Sequence, residues 1–114
     1  MTELKAEKCE VCRVGAPRVE APVARQMLEE IPGWELLEDD GVLQLCRRYA
    51  FADFAAALRF TNRVGALAED EGHHPALLTE WGAVTVRWWT HKIDGLHRND
   101  FVMAAKTDAV ASAD

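Results

Sequence analysis

Two short runs of strand-forming residues, with histidines at either end, most constrain how this 114-residue chain can fold. The runs, 77–81 and 84–89, are rich in Val, Thr, Trp and Leu, and Gly82 and Ala83 separate them. This pattern predicts a β-hairpin. Glycine at the first central position suits a type II′ turn, because only glycine takes a positive φ there without strain.

The predicted turn decides which residues of the two strands face each other. With the turn at these two residues, Trp81 pairs with Val84, and the same register places His74 opposite His91. Directly opposed residues lie about 5 Å apart at Cβ. The sequence therefore predicts one small site that two distant imidazoles share, and a slip in register would remove it.

The spacing of seven residues within 69–100 matches a known signature. It consists of an acidic residue, three positions, His-His-Pro, five positions, an aromatic residue, nine positions, His, eight positions and Asp. The residues in these places are Glu69, His73, His74, Pro75, Trp81, His91 and Asp100. In this the sequence resembles the pterin-4a-carbinolamine dehydratases, and the resemblance extends through 31–36 and 49–54 to cover about 23–108.

The resemblance implies an enzyme, a carbon–oxygen lyase that removes water from a 4a-hydroxytetrahydropterin and gives the quinonoid dihydropterin during tetrahydrobiopterin recycling. This reaction delivers a proton to the departing hydroxyl and takes one from the neighbouring nitrogen. Histidine does both near neutral pH, because its ordinary pKa is about 6.5. No metal is needed, since the nitrogen lone pair helps to expel the hydroxyl. No cofactor is implied either, because the pterin is the substrate.

The resemblance also implies the site residues. It makes His73, His74 and His91 the catalytic set. Among them we assign acid–base work to His73 and His91 and the binding of the pterin to His74, as a hypothesis. The implied substrate-binding residues are His73, His74, Pro75, Thr90, His91 and Lys92, with Glu69 and Asp100 in support. Other interpretations stay open for four of these positions: Thr90 as an ordinary strand residue, Lys92 as a solvated charge, Glu69 as part of a solvated acidic run, and Asp100 as a helix cap worth about 1 kcal/mol.

Hydrophobic spacing predicts three helices and two hairpins. The elements are a helix over 22–30, strands over 34–37 and 42–49, a helix over 51–71, the hairpin already described, and a helix that starts near Arg98. Short turns make antiparallel pairs. We therefore expect an α+β fold, with one four-stranded antiparallel sheet and helices packed on one face, in agreement with the fold that the resemblance implies.

Several aromatic and polar residues outside the signature also lead to expectations. The helix over 51–71 has two apolar stripes, which predicts burial on the sheet and against a neighbouring helix or subunit, or one wide interface. One stripe contains Phe51, Phe54, Leu58, Thr61, Gly65 and Ala68. Trp34 should pack in the core. Trp88 and Trp89 should point to opposite faces, and we expect His97 to be a surface or weakly capping residue. The other stripe contains Phe60, Val64 and Leu67.

Charge and hydrophobicity along the chain lead to expectations about partners, location and domain boundaries. The formal charge of −6 argues against a nucleic-acid partner, which would require clustered Lys and Arg. The sequence has no run of 18 apolar residues and no secretory signal, so we expect a cytoplasmic protein without a membrane contact. We expect an extended or partly disordered arm over 1–21, a single domain over 22–110 and a frayed tail over 111–114.

Two cysteines in the N-terminal arm leave a choice open. Cys9 and Cys12 form a Cys-x-x-Cys pair, but a zinc site takes four ligands and no second pair follows. We favour two reduced surface thiols over a redox couple or a metal shared between subunits.

Three other functions remain as alternatives to the recycling enzyme. They are an interaction protein with a dimerisation or coactivator-like role, a pterin-related role in molybdopterin metabolism, and a metal-binding protein that uses the three histidines. The partners expected with the enzyme are a small pterin and further copies of the chain, as a homodimer or homotetramer.

Overall fold

The computed structural model describes residues 4–6 and 18–113, which form an α+β fold. The elements are helix α1 (Ala21–Met27), strands β1 (Glu35–Asp39) and β2 (Val42–Ala50), helix α2 (Phe54–Glu71), strands β3 (Ala76–Glu80) and β4 (Ala83–Trp88), and helix α3 (Arg98–Ser112), with 3₁₀ turns at Leu4–Ala6, Leu28–Glu30 and His91–Ile93. The predicted order and type of these elements are confirmed.

The four strands form one antiparallel sheet in the order β1-β2-β4-β3. Helices α2 and α3 pack on one face of the sheet. On β4 the side chains that point to the helices are Val84, Val86 and Trp88, and all three are fully buried. The opposite face of the sheet carries no helix in the described part of the chain, and we call it the open face. The core thus lies between the sheet and the helices.

The predicted register of the second hairpin is wrong, because the two-residue turn lies one position earlier in the chain than predicted. Glu80 pairs with Ala83, so that the turn consists of Trp81 and Gly82, and Val84 pairs with Thr79 rather than with Trp81. Gly82 does not have a positive φ, which excludes the type II′ turn.

A long-range contact explains this difference. Ala83 is fully buried and pairs with Ala50 of β2, so it belongs to the central strand and cannot serve as a turn residue. The carbonyl oxygen of Gly82 also accepts a hydrogen bond of 2.8 Å from the backbone N–H of Phe51. The turn is therefore fixed by a neighbouring strand and not by its own two residues.

Each end of helix α2 has a residue that caps it, Asp53 at the start and Gly72 at the end. The side chain of Asp53 accepts a hydrogen bond from the N–H of Ala56, so the helix starts at Phe54, three residues later than predicted. At the other end Gly72 takes the left-handed conformation, with φ of 65°. The N–H of His73 then donates to the carbonyl of Ala68. This termination places His73 directly against the end of α2.

The two apolar stripes of α2 differ in burial. Phe60 and Val64 are fully buried against the sheet, whereas Phe54 is 46% and Leu58 is 42% exposed. In the first stripe Phe54 and Leu58 are thus exposed, whereas Ala68 near the end of the helix is buried. Trp34 lies in the core as predicted.

The terminal segments are described in part. Leu4 is buried, and the backbone N–H of Val19 donates to the carbonyl of Leu96. Cys9 and Cys12 lie outside the described residues, and the domain boundaries stay a prediction. Within the described chain no helix is both long and apolar enough to cross a membrane.

Candidate active site

His73 is held on two sides in a buried position. The residue follows the end of α2 and is 6% exposed, and its Nε2 lies 2.6 Å from Oδ1 of Asp100. Its ring also stacks on the indole of Trp88, with centroids 5.7 Å apart and planes at 11°. Trp88 is in turn fixed by a hydrogen bond from its Nε1 to Oγ1 of Thr107 on α3. The imidazole thus has a defined position and orientation.

Asp100 connects three parts of the chain. Besides His73, its carboxylate accepts hydrogen bonds from Oγ1 of Thr90, at 2.9 Å, and from the backbone N–H of His97, also at 2.9 Å. The side chain is completely buried. A buried carboxylate requires such partners, because desolvation of a charge without them is costly. Asp100 therefore joins the end of β4, the start of α3 and His73.

His97 is the N-cap of α3. Its Nδ1 accepts a hydrogen bond of 3.0 Å from the backbone N–H of Asn99, while Asp100 three residues later bonds back to its N–H. This reciprocal arrangement is a capping box. Of the two roles expected for His97, capping is the one observed. Asp100 also takes part in the cap, as the third residue of the helix, whose side chain accepts from the N–H of His97.

His74 points away from this buried pair. Its Nε2 lies 2.6 Å from Oε1 of Glu69, and the two side chains are 58% and 79% exposed. Glu69, which was expected to support the site, thus contacts one of its histidines. Exposed ion pairs stabilise a fold by only about 0–1 kcal/mol, so this pair positions His74 more than it stabilises the protein.

His91 lies at the surface in the 3₁₀ turn after β4. Its ring contacts that of Trp89, with centroids 4.5 Å apart. The predicted pairing of His74 with His91 is wrong, because the β3–β4 ladder ends at Ala76 and Arg87. In the same register, Trp89 and not His91 would oppose His74.

The remaining predicted residues surround these histidines. Thr90 is buried and its backbone pairs with Gly95, which closes the loop that carries His91. Lys92 is exposed in the same turn, and Pro75 is half-buried between His74 and β3. Among the described residues, no group of three His, Cys, Asp or Glu side chains is placed to hold a metal ion.

Trp88 and Trp89 point to opposite faces of the sheet, as predicted. Trp88 faces the helices, and Trp89 lines a groove of about 260 Å³ on the open face. The groove is formed by Asp39, Gln44, Ala76, Leu77, Leu78, Thr85, Arg87 and Trp89. We call it the Gln44 groove. No motif in the sequence marks this groove, and its only signal there is a single Gln between two leucines.

A second polar cluster, also missed in the sequence, surrounds Asp108 on α3. The indole N–H of Trp34, a guanidinium N–H of Arg47 and the hydroxyl of Tyr49 all donate to its carboxylate. Burial raises the pKa of Tyr49 far above its usual value, and the hydrogen bond to Asp108 and the charge of that carboxylate raise it further, against a smaller opposing effect of Arg47. The cluster fixes α3 to the first hairpin.

Comparison with known proteins agrees with this architecture. The family model for pterin 4 alpha carbinolamine dehydratase matches residues 17–110. A protein of Syntrophotalea carbinolica named "Putative pterin-4-alpha-carbinolamine dehydratase" is 61% identical over 110 residues, which are 96% of this chain and 98% of that protein. A protein of the same name from Saccharophagus degradans is 61% identical over 108 residues, 95% of this chain and 96% of its own.

Two solved structures are similar in fold. The crystal structure of a transcriptional coactivator/pterin dehydratase from Brucella melitensis has a TM-score of 0.74 and 29% identity, over 83% of this chain and 99% of that one. A pterin dehydratase-like protein identified as a RuBisCO assembly factor in the alpha-carboxysome has a TM-score of 0.59 and 25% identity, over 69% and 89%. The chain belongs to the pterin-4a-carbinolamine dehydratase family.

Proposed function

We propose that this protein dehydrates a 4a-hydroxytetrahydropterin to the quinonoid dihydropterin and water, by histidine acid–base catalysis. The observation that carries the proposal is the buried pair of His73 and Asp100, since it presents an imidazole in a fixed orientation next to the loop of His91. Membership of the family supports the same reaction.

The proposed reaction needs one acid and one base. The acid protonates the hydroxyl on C4a, the C–O bond breaks, and the lone pair of the neighbouring nitrogen forms the new C=N bond. The protonated hydroxyl thus leaves as water, and the base takes the proton from that same nitrogen, so that the dihydropterin product is neutral. We assign these two steps to His73 and His91, and assign His74, held by Glu69, to binding the pterin.

The two acid–base histidines differ in a way that suits two different tasks. His73 is almost completely buried and held by a carboxylate, so its ring is positioned precisely enough to act on a bound substrate. His91 is exposed, so its ring can exchange protons with water between turnovers. Thr90 and Lys92, on either side of His91, are proposed to contact the substrate, as is Pro75 next to His74.

The experiment that tests this function is a dehydration assay with purified protein. We expect His73→Ala and His91→Ala each to lower kcat roughly 10²–10⁴-fold, because a positioned acid or base typically contributes that much. His97→Asn is a matched control, since asparagine is also a good N-cap and His97 has no proposed part in the chemistry. Full activity in either alanine variant would refute the role of that histidine, and an inactive wild-type protein would refute the function.

In the cell we propose that the reaction serves tetrahydrobiopterin recycling in the cytoplasm. We further propose that copies of the chain associate through α2, because Phe54 and Leu58 are apolar, exposed and one helical turn apart. The same surface is the observation that favours the second candidate, an interaction role like that named for the Brucella melitensis protein.

A further inference from the structure

The orientation of the His73 imidazole depends on that of the indole of Trp88. The two rings are nearly parallel, at 11°, with centroids 5.7 Å apart. Asp100 contacts the edge of the imidazole at Nε2, while Trp88 lies against its face. A change in the indole would therefore alter the position of His73 even if the contact with the carboxylate were kept.

An indole in a protein core has two orientations available, because the torsion about χ2 has two broad minima. A half-turn leaves the ring in the same plane but moves its N–H to the opposite side, and it presents a different part of the indole to His73. In the observed orientation, Nε1 of Trp88 lies 3.1 Å from Oγ1 of Thr107. Trp88 is completely buried, so the other orientation would leave a buried donor without this acceptor, which is costly.

The hydroxyl of Thr107 is itself fixed in direction. It donates its one proton to the carbonyl of Met103, at 2.7 Å, so that its lone pairs are left for the indole N–H. Thr107 is completely buried and lies about two turns after Asp100 on the same side of α3. One helix thus fixes both the edge and the face of the imidazole.

Packing alone does not require a polar pair between β4 and α3. Replacement of both partners of a hydrogen bond by apolar groups of the same shape can be nearly neutral for stability. A buried polar pair instead specifies one arrangement, since every other arrangement leaves a polar group unsatisfied. Next to His73, this specificity has a use in the proposed chemistry.

We propose that Thr107 is a positioning residue of the dehydratase, which acts through Trp88 to keep the His73 imidazole in its productive orientation. The proposal rests on the proposed function, because that function gives His73 its acid–base role. Thr107 and Trp88 are both fully buried, so neither contacts the pterin. Loss of the Thr107 hydroxyl should therefore lower the fraction of molecules with a productive imidazole, and so kcat, while KM stays nearly constant.

The test compares Thr107→Val with Thr107→Ser in the dehydration assay. Valine has the shape of threonine without the hydroxyl, whereas serine keeps the hydroxyl. We expect Thr107→Val to lower kcat about 3- to 10-fold, the factor that corresponds to one net hydrogen bond, with KM changed by less than about 2-fold. Thr107→Ser should recover most of the lost kcat.

Thr79→Val is the matched control. Oγ1 of Thr79 on β3 lies 2.6 Å from Oγ1 of Thr61 on α2, so this variant also removes a threonine hydrogen bond between a strand and a helix. Neither of these threonines belongs to the candidate active site. Thr79→Val should therefore lower the free energy of unfolding without lowering kcat.

An NMR measurement reports the orientation of His73 without substrate. The ring current of the stacked indole shifts the Cε1–H signal of His73, and this signal should move towards the value of an unstacked imidazole in Thr107→Val but not in Thr107→Ser or Thr79→Val. If Thr107→Val does not fold, Trp88→Phe removes the donor of the same hydrogen bond and should lower kcat by at least the same factor.

The outcomes separate this proposal from the function on which it rests. A wild-type protein without dehydratase activity overturns both. With an active wild-type protein, an unchanged kcat in Thr107→Val or in Trp88→Phe, no recovery in Thr107→Ser, or an equal loss in Thr79→Val overturns only the role of Thr107. A fall in kcat that serine reverses and that accompanies the shift of the His73 signal supports it.

Discussion

Asp100 illustrates how one residue serves the fold and the candidate site together. Its carboxylate holds the N–H of His97 at the start of α3, the hydroxyl of Thr90, and the imidazole of His73. The hydroxyl of Thr90 and the N–H of His97 donate to Oδ2, and Oδ1 lies 2.6 Å from Nε2 of His73, where a carboxylate favours the tautomer with its proton on Nε2. The conformation of the ring thus depends on the same group that starts the helix.

Replacement of this carboxylate by an amide should separate the two roles. In Asp100→Asn the amide oxygen can still accept from Thr90 and His97, while its NH₂ faces His73 Nε2 and forces the other tautomer. We expect a folded protein, destabilised by about 1–3 kcal/mol, whose kcat falls about 10²–10⁴-fold with a smaller change in KM. Steady-state kinetics and urea unfolding measure the two effects. A normal kcat would show that the tautomer of His73 is irrelevant.

At the scale of the elements, the sheet and α3 are joined by polar contacts as well as by the core. The carboxylate of Asp108 on α3 accepts hydrogen bonds from Arg47 and Tyr49 on β2 and from Trp34 just before β1. Tyr49 also packs against the Phe60 ring on α2, with centroids 4.8 Å apart. One tyrosine therefore contacts both long helices.

The raised pKa of Tyr49 predicts a loss of stability in alkali. Below pH 10 the phenol is protonated in both the folded and the unfolded chain. Above about pH 10 it ionises in the unfolded chain but stays protonated in the folded one, so the free energy of unfolding should fall by up to about 1.4 kcal/mol per pH unit. In urea unfolding from pH 8 to pH 11, we expect the stability advantage of the wild-type protein over Tyr49→Phe to be constant at first and to shrink above pH 10. A difference that stays constant to pH 11 would contradict this assignment.

At the scale of the whole molecule, the chain buries one apolar side of α2 and leaves the other accessible. The buried side forms the core with the sheet, and the accessible side presents Phe54 and Leu58. Since these two residues contribute little to the core, self-association is the simplest reason for their apolar character.

The double variant Phe54→Gln, Leu58→Gln tests this surface. Glutamine is a good helix former, so the chain should stay folded while its mass in sedimentation equilibrium falls from that of a dimer or tetramer towards that of the monomer. Arg59→Gln, on the exposed surface of the same helix, is the control and should leave the mass unchanged. A wild-type protein that is already monomeric, or an unchanged mass in the double variant, would contradict the proposal.

The sequence predicted those features that depend on local patterns. Alternation and turn residues predicted the four strands, and the 3.6-residue spacing predicted the helices, with the end of α2 at residue 71 as observed. The register of the second hairpin failed because Ala83 pairs with a strand that lies more than thirty residues earlier, at Ala50. Turn preferences derived from isolated hairpins do not take account of pairing with a third strand.

The missed residues share a similar cause. Asp108 is 59 to 74 positions away from the residues that bond to it, so no short motif joins them. Gln44 alternates with apolar neighbours, which usually indicates a solvated side chain, but it is buried in a groove that residues of β1, β3 and β4 also line. By contrast, the signature spacing had already selected His73 and Asp100, which the fold brings into contact.

The double use of Asp100 also restricts how such a protein can change over evolutionary time. A substitution that preserved the helix start but changed the contact with the His73 imidazole would leave a well-folded chain with impaired chemistry. One that preserved only the contact with the imidazole would destabilise the loop beside it. Few single mutations satisfy both demands, so we expect lineages that abandon the chemistry to drift at this position sooner than those that retain it.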